Sequence, residues 1–258
     1  MNPAPATVLD LWEAGLPRTP AARAVLLLEA AGVADAGEWP VGRGHLALLA
    51  AWCDTGRGLE VLADCAACGA VLDLAVDPGA LASDGEEAVP GTVPGTVPGT
   101  VPGGVPGTVP VIVTVSDGAY AVTARPPTLG DLAALSPGGD TGSMRRQLLA
   151  RCVVEATLAG GAVSPDALPD PVADLVEAAL DEADPAADIR LSLACPECAA
   201  TWSQALDPLE FAWSSVESAA RRLAVDVHTL AHAYGWSEPE ILALSPFRRQ
   251  LYLSAVEP

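Results

Sequence analysis

Four cysteines carry the strongest chemical signal in this chain. Cys65-Ala-Ala-Cys68-Gly69 and Cys195-Pro-Glu-Cys198 are two Cys-x-x-Cys runs, each followed by a small residue. One such knuckle supplies two thiolates, and a structural zinc takes four ligands in a tetrahedron. The simplest reading closes both knuckles on a single structural Zn2+ per chain, held by Cys65, Cys68, Cys195 and Cys198. Separate half-sites, a centre that has lost its metal, and redox thiols are the alternatives. Cys68 and Cys195 stand 127 positions apart, far beyond the spacing of a compact ribbon. Lengthening a closed loop from about 16 to about 128 residues costs only about 2 kcal/mol. A structural zinc contributes on the order of 10 kcal/mol, so the ion outweighs the long loop.

Catalysis at such a centre is disfavoured. Four thiolates leave no position for a reacting water, and closed ligand sets are structural. A redox Cys-x-x-Cys belongs in a βαβ setting, whereas strand-like runs flank both knuckles here. His228 and His232 have the i, i+4 spacing of helical zinc pairs, but the segment His228-Thr-Leu-Ala-His232 lacks the glutamate of His-Glu-x-x-His. They read as solvated helix-face residues, and His45 as a boundary histidine. There is no nucleophile elbow, phosphate loop or dinucleotide fingerprint, and the carboxylates are scattered. No catalytic residue is assigned, and the chain reads as a non-enzyme.

The elements that must position the knuckles are legible from periodicity. Residues 1–58 read as a helical part. Val8, Leu11 and Trp12 share a helical face, Thr19-Pro20 opens a second helix, and Leu46, Leu48, Leu49 and Trp52 mark a third. Residues 59–77 alternate as strand, first knuckle and strand, with Asp77-Pro78 as the stop. Residues 78–110 read as a disordered loop. Its Val-Pro-Gly-Thr repeat from Val89 resembles elastin-like sequence, places a proline and a glycine in each unit, and cannot build a packed core. Residues 111–127 form a β-hairpin around Ser116-Asp-Gly118. Residues 128–186 are a helical insert, opened by a Thr128/Asp131 capping box and carrying a stripe of Leu148, Leu149, Cys152 and Val153. Cys152 and Cys53 read as buried thiols. Residues 187–207 hold the second knuckle, with Ile189, Leu191 and Leu193 before it and Trp202 after it.

Residues 208–258 form the C-terminal helical part. Leu209, Trp213, Val216, Ala220, Leu223, Val227, Leu230 and Tyr234 step by four and three, a heptad seam that needs a helix of this chain or of a partner against it. A partner helix covering the seam would make the protein a helix-mediated oligomer. Ser237 and Glu240 make another capping box, and Ser245-Pro246 starts a last helix. Arg221, Arg222, Arg248 and Arg249 are clustered basic residues in an acidic chain. They serve either local helix pairing, as in Glu217 with Arg221 at i, i+4, or docking. In the docking reading Arg248 and Arg249 bind a partner together with Trp236 and Tyr252, because arginine and aromatic side chains concentrate at interface hot spots.

Composition narrows the classes. The chain has 258 residues, half of them hydrophobic, and a formal charge of −20 from 33 acidic against 13 basic residues. Every basic residue is arginine. Such a balance opposes binding to a phosphate backbone and to an anionic membrane surface. No charged leader precedes an apolar run, and no apolar stretch is long enough to span a bilayer. The expected location is the cytoplasm, where paired Cys-x-x-Cys favours metal over disulfides.

Two distant knuckles, a long helix, and then Tyr234-Gly-Trp236-Ser237-Glu-Pro-Glu-Ile241-Leu-Ala-Leu244-Ser-Pro-Phe-Arg248-Arg249-Gln-Leu-Tyr252-Leu together resemble the T-even phage baseplate protein family. That family includes hub assembly chaperones, with relatives in bacterial phage-tail-like contractile injection systems. The resemblance covers most of the chain outside the Val-Pro-Gly-Thr run. Its departures are Ala199, where glycine is usual, and the tetrapeptide expansion. It implies a non-enzymatic protein that helps build, or forms part of, a baseplate. Its partners would then be baseplate or hub proteins, and its location cytoplasmic or particle-associated.

The expectation is an α+β protein. A small antiparallel zinc-ribbon-like β unit is flanked by a helical N-terminal part and long C-terminal helices. The rival functions are a zinc-ribbon nucleic-acid-binding or regulatory module and a zinc-dependent hydrolase.

Overall fold

A computed structural model describes residues 5–52, 59–76, 111–136 and 138–256. Cys53, Asp77-Pro78 and the Val-Pro-Gly-Thr run lie outside the described residues. The chain is mixed α+β, with small antiparallel sheets among helices.

Three helices open it: α1 (Pro5–Gly15), α2 (Pro20–Ala30) and α3 (Val41–Trp52). Thr19 caps α2 by accepting from the Ala22 N–H, and proline fills the first helical position. The first knuckle sits between β1 (Leu59–Asp64) and β2 (Val71–Val76), which pair antiparallel. β3 (Val113–Asp117) and β4 (Tyr120–Ala124) form the expected hairpin. Its turn is Gly118-Ala119, one residue later than the Asp-Gly signal suggested, and Gly118 takes φ +57°.

The short α4 (Leu129–Ala133) begins with the expected capping box. Asp131 of that box is buried and also takes the Arg125 guanidinium at 2.7 Å. Burial pushes the Asp131 carboxyl up. Arg125 and the Thr128 N–H more than reverse this and hold it below its ordinary value. A depressed carboxylate contributes stability above its unfolded value of about 3.9 and loses it as pH falls through the folded value. Asp131→Asn should therefore be less stable at pH 7 by about 1–2 kcal/mol, from the lost cap and pair. The gap to wild type should narrow when denaturant melts are repeated below about pH 3.

The insert after α4 is not wholly helical. α5 (Thr141–Cys152) stops at Cys152, and Val153 starts β5 (Val153–Leu158), followed by β6 (Gly161–Ala162). Strand β5 pairs with β4, completing a four-stranded sheet in the order β3-β4-β5-β6. The helical reading of residues 128–186 is thus corrected. Val153, Val154 and Thr157 are β-branched and stiff, and Ala159-Gly160 turns the chain back through positive φ. α6 (Asp170–Ala183) covers the sheet, and Val122, Ala124, Cys152, Ala156, Val172, Val176 and Leu180 form the core between them. Cys152 is the buried thiol expected of it, and burial pushes it up to about 11. Arg145 of α5 ties to Asp174 and Glu177 of α6 across the helix pair.

The second knuckle lies between β7 (Arg190–Ala194) and β8 (Thr201–Ala205). Asp207 then caps α7 (Pro208–Tyr234) by accepting from the N–H groups of Leu209 and Glu210. α7 has 27 residues, about 40 Å at about 1.5 Å per residue. Leu209, Trp213, Val216, Ala220, Leu223 and Leu230 of its seam are buried. Their cover is internal: α1, α2 and α3 pack along α7, and Val8, Leu11, Leu27, Leu28 and Leu48 share its core. From Leu209 to Leu223 the seam is therefore covered within one chain and needs no partner helix, while Tyr234 at its end stays 40% exposed. α8 (Glu238–Leu242), opened by the Ser237/Glu240 capping box, and α9 (Pro246–Val256) fold back onto α7.

Candidate metal centre

Each knuckle is a tight turn set by its own backbone. In the first, the Cys65 N–H donates to the Ala70 carbonyl at 2.9 Å and the Gly69 N–H to the Cys65 carbonyl at 2.8 Å. The second repeats this with Cys195 to Ala200 and Ala199 to Cys195, both at 2.9 Å. The residue after the second cysteine takes the left-handed conformation in both: Gly69 at φ +76° and Ala199 at φ +58°. The two hairpins are thus local copies, although only one carries the glycine.

That conformation costs an alanine about 1 kcal/mol or more. Ala199→Gly should raise the melting temperature of the metal-loaded protein, by an amount equivalent to up to about 1 kcal/mol. Gly69→Ala should lower it comparably. A Cβ built at Gly69 meets nothing within 4 Å, so that cost is torsional alone. Unchanged melts for both variants would contradict the left-handed assignment.

The hairpins meet because both leave the helical body at one joint. Leu46 and Leu49 of α3 pack with Val61 of β1, Val76 of β2, Ile189, Leu191 of β7, Leu206 and Phe211 of α7. The approach to β7 is pinned to the start of α3. Asp184 accepts from the Gly42 N–H at 2.9 Å, capping α3 from 142 positions away. The His45 Nδ1–H donates to the Ala186 carbonyl at 3.1 Å. A Cβ at Gly42 would lie 2.0 Å from Asp184 Oδ1 and 2.8 Å from the Ala187 nitrogen, so only glycine allows this approach. His45 is therefore a half-buried docking residue, as a boundary position suggests.

At the far end of the hairpins all four predicted sulfurs converge. Cys65, Cys68, Cys195 and Cys198 place their Sγ atoms within 4.8 Å of one another. The cross-knuckle pairs are Cys65–Cys198 at 3.7 Å and Cys68–Cys195 at 3.6 Å. Metal–thiolate bonds of about 2.3 Å in a tetrahedron put sulfurs about 3.8 Å apart, so the cage has the size a tetrahedral ion requires. A disulfide would need about 2.05 Å. Ala63, Leu72 and Leu193 pack beneath with Cys65 and Cys195, which are buried, while Cys68 and Cys198 are exposed at the tip.

The electrostatics of the thiols point the same way. The backbone N–H of Cys68, then that of Ala67, lowers Cys65 to about 7. At Cys68 the Ala70 N–H also lowers, but the Cys198 and Cys195 sulfurs outweigh it and push the thiol up to about 12. At Cys198 the Ala200 N–H and then the Cys68 sulfur lower, yet burial and the Cys195 and Cys65 sulfurs leave it raised. Four thiols in one cage cannot all ionise beside one another without a cation among them. A divalent ion supplies that charge, and the N–H donors aimed at sulfur stabilise the thiolates. The residues present fit a metal ion. The donors Ala67, Ala70 and Ala200 were not singled out in the sequence, where they look like filler.

The C-terminal docking residues divide. Arg249 is buried and its Nε donates to Asp226 of α7 at 3.0 Å. It is an internal tie and is corrected as a partner-binding residue. Successive residues on a helix point about 100° apart, so its neighbour Arg248 is left exposed. Trp236 and Tyr252 are half-buried against each other and Tyr234, with ring centroids 4.7–5.9 Å apart. Phe247 and Leu251 of α9 are 78% and 58% exposed. Arg221 pairs with Glu217 at 2.7 Å, as its spacing suggested. His228 and His232 are exposed on α7. None of the helices described is long and apolar enough to cross a membrane.

Compared with models of known protein families, with curated proteins and with solved structures, the chain has no match in any of the three.

Proposed function

We propose that the four cysteines hold one structural zinc. On this reading the two hairpins are the halves of a zinc-ribbon-like unit, and the chain is a non-enzymatic assembly factor or structural component of a contractile tail-like particle's baseplate. The observation that carries it is the closed cage of four thiols within 4.8 Å, joining segments 127 positions apart. A full thiolate set has no place for a substrate or a reacting water, so its work is to hold the architecture. The reduced thiols suit a cytoplasmic protein. The baseplate assignment is supported by the C-terminal stretch from Trp236 to Tyr252, whose residues resemble that family. Partner contacts are made by baseplate or hub proteins over α9 and the aromatic group beside it. Nucleic acid is disfavoured by the charge of −20.

Deleting the gene in the organism that carries it tests this reading. Sheathed particles in electron micrographs should disappear while sheath and tube subunits still accumulate, and the intact gene should restore them. Normal numbers of particles without this chain would overturn the assignment. Mass spectrometry of purified particles separates a permanent component from a factor that leaves.

A further inference from the structure

His228 and His232 stand outside the cysteine cage and outside the packed cores. Both are exposed on α7, four residues apart, with ring centroids 6.4 Å apart and planes 10° from parallel. Side chains four apart share a helix face, and this is the spacing by which helical histidine pairs grip a metal. The backbone beneath them is fixed. The helix continues through Tyr234 and closes on Gly235, whose N–H donates to the Ala231 carbonyl at 2.9 Å. Only side-chain torsions need turn for two ring nitrogens to meet one ion.

Two charged residues of the same helix already have partners. Asp226, two residues before His228, is engaged by Arg249, and Arg221, two turns back, by Glu217. The third histidine, His45, is half-buried on α3 and bonded to the Ala186 carbonyl. Imidazole is a borderline donor that suits nickel, copper and zinc, whereas thiolate selects softer ions. We propose that His228 and His232 chelate one divalent transition cation of the nickel and copper class, with water in its remaining positions. This is a second metal site, exchangeable and open to solvent, unlike the closed cage. The inference is independent of the baseplate reading.

The test is titration of the full-length, zinc-loaded protein with nickel(II) alone, followed by calorimetry and by metal analysis. One nickel should bind per chain with the cage zinc retained. In a chelate the second imidazole binds intramolecularly, so His232→Ala should weaken nickel by about 100-fold. A double variant, His232→Ala with Ala233→His, keeps the histidine count but moves the ring off the shared face. It should behave like His232→Ala. Both sites are exposed, and matching melting curves will establish that the variants are folded. Equal nickel affinity in all three proteins would overturn the proposal. So would nickel uptake that follows histidine number regardless of position, or that only displaces the cage zinc.

Discussion

Replacing Cys195 by serine should abolish metal binding and melt both knuckle hairpins while leaving the helical body folded. β1-β2 and β7-β8 are separate two-stranded sheets, and an isolated hairpin is marginal in water. Among the described residues, Ala63, Leu72 and Leu193 are the ones buried beneath the cage with the two cysteines, partly supported by Ala70, Leu74, Leu191, Ala200 and Trp202. So small a core would not hold two hairpins together without the proposed ion, whose binding would be worth on the order of 10 kcal/mol. The helical core lies elsewhere, along α7, and does not depend on the cage. Metal analysis should fall from about one zinc per chain to background. Hydrogen exchange should lose protection at Val61, Leu72 and Leu193 while amides of α7 from Val216 to Leu223 keep theirs. Cys152→Ser, in the sheet core, should leave zinc content unchanged. Full protection of both hairpins in a metal-free Cys195→Ser protein would sink the stapling argument. Zinc binding should also release protons, because the apo cage holds thiols raised to about 12 at Cys68. Affinity should accordingly fall with pH as the thiols reprotonate.

Trp213→Ala should be the costliest single change in the helical body, at about 3–5 kcal/mol. Trp213 is buried on α7 in the core shared by α1, α2 and α3. Its ring lies so close over α1 that a Cβ at Gly15 would sit 2.2 Å from Cη2. The Arg23 guanidinium covers the ring at 4.4 Å and its Nε donates to the Gly15 carbonyl at 2.9 Å. Truncation therefore empties the junction of three helices and strips one face from Arg23. A urea melt should show the midpoint falling with the slope unchanged. A loss below about 1 kcal/mol would mean that this junction is not packed as described.

The likeness of the two knuckles explains why their pairing was legible without coordinates. Cys-x-x-Cys with a small residue after it fixes a turn of one shape, and the alternating residues on both sides fix strands. Caps were equally legible, since Thr19, Thr128 and Asp207 accept from N–H groups two or three residues away and Ser237 donates to Glu240 three residues on. Strand β5 was less so. Its residues follow a helical stripe without a break, and only the β-branched run and the Ala159-Gly160 turn mark the change.

What the residues alone determined is local: the four sulfur donors, the α+β composition, the helix starts and the apolar seam of α7. Each follows from spacings shorter than one turn or one hairpin. Tertiary structure decided what meets what. Asp184 reaches Gly42 across 142 positions, α1 to α3 rather than a partner cover the seam, and Arg249 turns inward to Asp226 while Arg248 stays outside. Those outcomes depend on burial and on charges brought together by the fold, and no spacing along the chain encodes them.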